Sequence, residues 1–217
     1  MSINKNITEI KKRIANAAKK SGRAKEDICL MAVTKYAEIS QIEQAAVFGI
    51  KIIGENMVNS AEEKFSMIRN INLKKHMIGH LQTNKAKKAV DIFDSIDSVD
   101  SLRLAGEINK HAKNAVKIMQ VMIQVNISGE TQKYGIKPEE TTEFYKELLN
   151  LKNLKITGIM AIAPYVPAQK ARPYFRRMKK IFDNLNLKWL SMGMTNDFEI
   201  AIEEGANMVR IGTAIFK

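Results

Sequence analysis

The chain has 217 residues, of which 45% are hydrophobic and 27% charged, and it carries a formal net charge of +12. That length suits one β/α domain of about 200–250 residues, and the composition is that of a soluble globular protein. No apolar run reaches the roughly 18 residues needed to span a bilayer, and the single Cys29 excludes an internal disulfide.

The elements follow in chain order. Ile3 to Ser21 predicts an opening helix, with Ile3, Ile7, Ile10, Ile14, Ala17 and Ala18 at helical spacing and an end near Gly22. Ile28 to Val33 predicts the first buried strand, Ile39 to Phe48 a helix ended by Gly49, and Lys51 to Ile53 a short strand. Met57 to Arg69 predicts a helix, Lys75 to Ile78 a strand, Thr83 to Val90 a helix and Ile92 to Ile96 a strand. Ser101 to Ala112 predicts a helix, and Val116 to Asn126 contains a long strand. Pro138 to Leu149 is expected as a helix with proline in its first turn. Leu154 to Ile159 predicts a strand. Ala168 to Leu185 is mostly helix, with Pro173 as a break or late start. Trp189 to Leu190 is a brief strand, Phe198 to Glu204 a helix ended by Gly205, and Met208 to Ile211 the last strand.

Eight strands alternating with helices imply parallel pairing and right-handed crossovers. The expected fold is a (β/α)8 TIM-like barrel with an extra N-terminal helix, one domain over residues 1–217. An open doubly wound sheet is the alternative, disfavoured because no Gly-x-Gly-x-x-Gly follows the first strand. The acidic, serine-rich stretch from Asp94 to Ser101 predicts a strand end plus a helix cap.

Charge and targeting narrow the function classes. The densest basic stretches, Lys11 to Arg13 and Lys85 to Lys88, fall in helical segments without interleaved aromatics, so solvated helix faces are expected rather than a nucleic-acid groove. Three His and one Cys make no cluster with metal-ligand spacing. The N-terminal residues alternate polar and apolar with no signal-peptide core, which predicts a cytoplasmic protein without membrane association.

Sites in parallel barrels form at the C-terminal ends of the strands. Lys35 stands after the first strand, where an apolar barrel mouth can desolvate a lysine and leave its amine nucleophilic; a plain solvated lysine is the ordinary alternative. The loop after the seventh strand, Ser191 to Thr195, contains Gly193, and the loop after the eighth begins Gly212-Thr213. Glycines and hydroxyls at these two loops suit a phosphate. Ordinary capping competes, since Asn196 with Glu199 three residues on resembles a variant capping box, and Asp197 and Glu199 would repel an anion if they faced it. Arg210, inside an apolar strand, must meet a carboxylate, a ligand or solvent.

Motifs along the whole chain resemble the pyridoxal-phosphate homeostasis protein family. They are AVTKY at 32–36, GENMVNSAEEK at 54–64, HMIGHLQTNKAKKAV at 76–90, ITGIMAI at 156–162, LSMGMTNDFEIAI at 190–202 and VRIGTAIF at 209–216. The resemblance implies a single barrel similar to the alanine racemase N-terminal domain. It implies that pyridoxal 5′-phosphate (PLP) is held as a Schiff base on Lys35, with Asn56 near the ring and Gly193 and Thr195 in the phosphate loop. It places Arg210 toward the pyridine nitrogen and Gly212 and Thr213 on the phosphate. Thr195 stands where the family has serine and keeps the hydroxyl.

An arginine facing the pyridine nitrogen disfavours its protonation and weakens the ring as an electron sink. Racemases of similar barrel take a second base, a tyrosine, from an additional β domain of a partner subunit, for which these 217 residues leave no room. The expectation is therefore a monomeric, non-catalytic PLP binder in vitamin B6 homeostasis, with PLP-requiring apo-enzymes as recipients. A weak racemase-type PLP enzyme using Tyr36, Lys133 or Tyr134 as base, and a basic barrel for RNA or another phosphorylated ligand, are the alternatives.

Overall fold

The computed structural model describes residues 2–68 and 72–217. The opening helix α1 (Ile3–Lys20) starts where the Ser2 hydroxyl accepts the Lys5 N–H, and it ends before Gly22, which has φ +70°. Its Ile3, Ile7, Ile10, Ile14, Ala17 and Ala18 form the buried stripe that their spacing predicts. The strands are β1 (Cys29–Val33), β2 (Ile52–Glu55), β3 (Lys74–Met77), β4 (Ser95–Val99), β5 (Met119–Val125), β6 (Leu154–Ala161), β7 (Trp189–Ser191) and β8 (Met208–Ile211). Between and after them lie α2 (Ile39–Val47), α3 (Val58–Met67), α4 (Ala86–Ile92), α5 (Leu102–Asn114), α6 (Thr141–Leu148), α7 (Ala168–Asp183), α8 (Phe198–Glu203) and the short α9 (Thr213–Phe216).

Among the described residues the eight strands pair in sequence order, all parallel, and β8 closes on β1 through Cys29↔Met208 to Ala32↔Ile211. This is the expected (β/α)8 barrel rather than the open sheet. Helix α1 packs on α2, α8 and α9 and so covers the seam where β1 meets β8. The main apolar core lies between the strands and the helix ring, while Met31, Ile78, Met122, Met160 and Met208 form a separate cluster inside the barrel.

Several boundaries differ from the sequence expectation. The second strand runs two residues further, to Glu55, and the fourth is Ser95–Val99 instead of Ile92 to Ile96. The acidic, serine-rich stretch is thus a whole strand, buried at every position, and Ser101 caps α5 by accepting the Leu104 N–H. Asp97 is satisfied there by Ser95, which donates to it, and by His76, while the buried Ser98 hydroxyl has no hydrogen-bond partner among the described residues. Pro173 neither breaks α7 nor starts it; the helix continues on both sides of it. The carbonyl that loses its intrahelical donor is that of Gln169, an exposed residue in the first turn. Arg69, the expected end of the third helix, lies outside the described residues. The basic stretches lie on helix faces, with Lys11 donating to the Phe48 carbonyl, Arg13 paired to Glu199 and Lys88 to Glu62.

Candidate functional site

The C-terminal ends of β1, β7 and β8 meet around one cavity lined by Lys35, Tyr36, Thr195, Arg210, Gly212 and Thr213. Five of the seven residues singled out from sequence therefore share one space. Lys35 sits in a turn closed by the Ala37 N–H donating to the Thr34 carbonyl at 2.9 Å. Its side chain is exposed, with Nζ 4.8 Å from the centre of the Tyr36 ring, so the apolar strand before it does not desolvate it. Gly212 brings the chain close to β1: a Cβ there would lie 3.0 Å from the Val33 carbonyl oxygen. Thr213 follows as the first residue of the short α9, whose Ile215 and Phe216 N–H groups donate to the Gly212 carbonyl.

Gly193 is set one layer back. It has φ +91°, its carbonyl accepts the Arg210 N–H at 3.0 Å, and an added Cβ would fall 2.5 Å from the Ala201 Cβ. Only glycine fits that turn, which presents Met194 and Thr195 to the cavity. The acids beside it face elsewhere. Glu199 is held by Arg13 through two bonds of 2.8 and 2.9 Å, and Asp197 accepts the Met194 N–H at 2.7 Å. The N-cap of α8 is Asp197, so the capping box expected of Asn196 and Glu199 does not form. Burial raises the Asp197 carboxyl above the ordinary range, against the Met194 N–H and the Arg210 charge.

Asn56 is the residue the structure sets apart. It lines a neighbouring cleft at the ends of β2 and β3 with Asn59, His80, Gln82 and Lys85. Its backbone is pinned there by Gly79, where a Cβ would lie 2.2 Å from the Asn56 carbonyl oxygen.

Arg210 is 3% exposed and forms the cavity floor. Nη1 donates to Ser191 Oγ at 2.8 Å and Nη2 to the Ala161 carbonyl at 2.9 Å. Burial lowers its pKa to about 10, with Asp97 and Asp197 opposing that shift, so the guanidinium stays charged at neutral pH. Its hydrogen-bond partners are a hydroxyl and a carbonyl rather than a carboxylate. This corrects the simple choice between carboxylate, ligand and solvent: two neutral acceptors from β6 and β7 hold the cation in place.

Two buried polar groups were not legible beforehand. Glu55, 1% exposed, accepts the Thr34 hydroxyl at 2.8 Å and the Lys64 ammonium at 2.8 Å, and Lys64 also donates to the Thr34 carbonyl at 2.6 Å. Inside the barrel, His76 Nδ1 lies 2.7 Å from Asp97 Oδ2, and Ser95 donates to Asp97 Oδ1 at 2.6 Å. Glu55 and Lys64 stand within one polar motif, but only the fold shows that they close on Thr34. Near the mouth, Tyr134 stacks on His80 with ring centres 3.6 Å apart, and Lys133 pairs with Glu130 at 2.5 Å.

The cavity thus gathers a primary amine, two hydroxyls, the first turn of a short helix and a fixed guanidinium. That set fits a ligand carrying an aldehyde, a phosphate and an aromatic ring nitrogen. Residues 3–217 match the family model described as "Alanine racemase, N-terminal domain". The chain is 37% identical to the pyridoxal phosphate homeostasis protein of Aquifex aeolicus, over 97% of this chain and 95% of that one. It superposes on the structure of PipY from Synechococcus elongatus with PLP bound at a TM-score of 0.86 and 28% identity, each chain fully covered. An alanine racemase of Clostridium difficile shares the fold at a TM-score of 0.75 and 17% identity, with 99% of this chain matched to 56% of that one.

Proposed function

Because the chain belongs to the pyridoxal phosphate homeostasis proteins, a family sharing the alanine racemase N-terminal domain, we propose that it binds PLP on Lys35 and serves intracellular B6 homeostasis without strong catalysis. The observation that carries this reading is the convergence of Lys35, Thr195, Arg210, Gly212 and Thr213 on one cavity. PLP supplies an aldehyde that condenses with an amine, releasing water, and a ring that stabilises carbanions when its nitrogen is protonated. Lys35 provides the amine from a turn that fixes its backbone. Thr195 and Thr213 would donate hydroxyl hydrogen bonds to the phosphate, Gly212 would let the backbone approach it, and Gly193 shapes the loop from behind. Asn56, which lines the adjoining cleft instead of this cavity, would have to turn toward the ring to touch it. The whole barrel, residues 1–217, serves as one binding domain.

Weak catalysis follows from Arg210. A guanidinium facing the ring nitrogen would oppose its protonation, and two neutral acceptors hold the Arg210 side chain in place. The side chains that would act as bases are occupied or exposed. Lys133 is paired with Glu130, Tyr134 is stacked on His80, and Tyr36 is 79% exposed. The cavity opens beside exposed Tyr36 and Met194, so an apo-enzyme accepting PLP would meet it at the mouth. A monomer in the cytoplasm completes the proposal; no helix among the described residues is long and apolar enough to cross a membrane.

Spectroscopy tests the reading. Protein incubated with PLP should gain visible absorbance at one equivalent, and borohydride reduction should fix the added mass on the Lys35 peptide. Lys35→Ala should lose both. Absence of PLP binding by the wild type overturns the proposal. Exchange of the α-hydrogen of amino acids at about 1 per second or faster would overturn the non-catalytic part and favour Tyr36, which shares the Lys35 cavity.

A further inference from the structure

We propose that Lys64 is a positioning residue for Lys35, acting through the Thr34 carbonyl and the buried Glu55 carboxylate. This rests on the reading of Lys35 as the PLP-holding residue. Thr34 is fully buried, and its peptide group is fixed on both sides. Its N–H donates to the Gly54 carbonyl at 3.0 Å, and its carbonyl accepts the Ala37 N–H at 2.9 Å and the Lys64 ammonium at 2.6 Å. Lys35 is the next residue, so the direction in which its side chain leaves β1 is set by that peptide group.

The arrangement is demanding. A long lysine side chain gives up on the order of 2 kcal/mol of rotamer freedom when ordered. A carboxylate that is 1% exposed is strongly unfavourable unless paired and hydrogen-bonded. Each need answers the other. Lys64 extends from α3 with its side chain 18% exposed, and its ammonium meets Glu55 Oε1 at 2.8 Å. Glu55 receives the Thr34 hydroxyl on the same oxygen. The three residues bind the ends of β1 and β2 to α3 at the one point where the chain turns into the site. A salt bridge serving only to hold α3 against the barrel would need no contact with the Thr34 carbonyl.

Regiospecific trapping tests this. PLP reacts with many exposed lysines, so the share of borohydride-fixed label on Lys35 reports how well that amine is presented. Two variants are compared with wild type: Lys64→Met, and the double variant Lys64→Met/Glu55→Gln, which leaves no unpaired buried charge and keeps the fold should the single variant lose it. Lys64→Arg serves as the conservative control. In folded variants lacking Lys64 we expect PLP to bind about tenfold more weakly and the label to spread from Lys35 to other lysines, with Lys64→Arg recovering most of the Lys35 share. Circular dichroism and the unfolding midpoint separate this from loss of structure. Wild-type affinity and an unchanged Lys35 share in the folded double variant would overturn the assignment. Wild-type label on a lysine other than Lys35 would instead overturn the reading of Lys35 and the assignment with it.

Discussion

The backbone N–H of Arg210 donates to the carbonyl of Gly193 at 3.0 Å, tying the loop after β7 to the strand that carries the buried cation. Gly193 holds φ +91° and has no room for a Cβ beside Ala201 and Phe198. Gly193→Ala should destabilise the fold by about 1–3 kcal/mol through backbone strain and crowding. Because the same loop presents Thr195, PLP affinity should fall in parallel. Urea unfolding and a PLP titration check the two effects; a variant as stable as wild type would contradict the crowding.

Arg210 itself predicts a stability effect that does not need the cofactor. Arg210→Met fills similar space but strands the Ser191 hydroxyl and the Ala161 carbonyl, both buried acceptors. The expected loss is about 1–3 kcal/mol in protein without PLP, measured by chemical denaturation at neutral pH. A more stable variant would mean that desolvation of the cation outweighs its two hydrogen bonds.

Asp197 gives a pH dependence with a definite sign. Its carboxyl holds its proton more tightly in the fold than in the unfolded chain, because burial raises it despite the Met194 N–H and Arg210. The contribution of this group to stability is therefore greatest at acid pH, and it declines as pH rises from the ordinary carboxylate range through the raised value, then stays level. Asp197→Asn keeps an oxygen for the Met194 N–H and removes the charge. It should be the more stable protein near neutral pH, with the advantage shrinking near pH 4. Equal differences at both pH values would show that ionisation of Asp197 is not what separates them.

Cys29 should be a quiet thiol. Burial raises its pKa to about 11, with Lys188 pulling the other way and Asp97 adding to the rise. At pH 8 the thiolate fraction is on the order of one in a thousand. Modification by a disulfide reagent should be at least about 100-fold slower in the folded protein than in urea, followed as thiol release at 412 nm on the order of minutes to hours.

The alternation of strands and helices was legible because each β/α unit writes its own period: apolar runs for β1 and β6, a 3–4 stripe for α1, glycine at the helix ends. The strand β4 was displaced by three residues because Ser95, Asp97 and Ser98 face a buried environment, which apolar patterning cannot anticipate. Asp97 is accommodated by Ser95 and by His76 from the neighbouring strand, 21 positions earlier in the chain. The same limit applies at the site. Lys35, Thr195, Arg210, Gly212 and Thr213 could be picked out since strand ends of a barrel converge by topology. Asn56 obeys that rule too, yet its side chain lines the next cleft, a choice made by the tight packing of Gly79 on its backbone. Lys64 lies on a helix with no mark distinguishing it from its solvated neighbours, and its role appears only when α3 folds back over Thr34.

The methionines inside the barrel have a consequence of their own. Met31, Met122, Met160 and Met208 are unbranched, flexible side chains packed in one cluster and out of contact with solvent. A cluster of this kind yields. Thioether chains adjust by rotamer more readily than the branched side chains of valine or isoleucine. A change of volume at one of these positions should therefore be taken up by its methionine neighbours before it reaches the strand register.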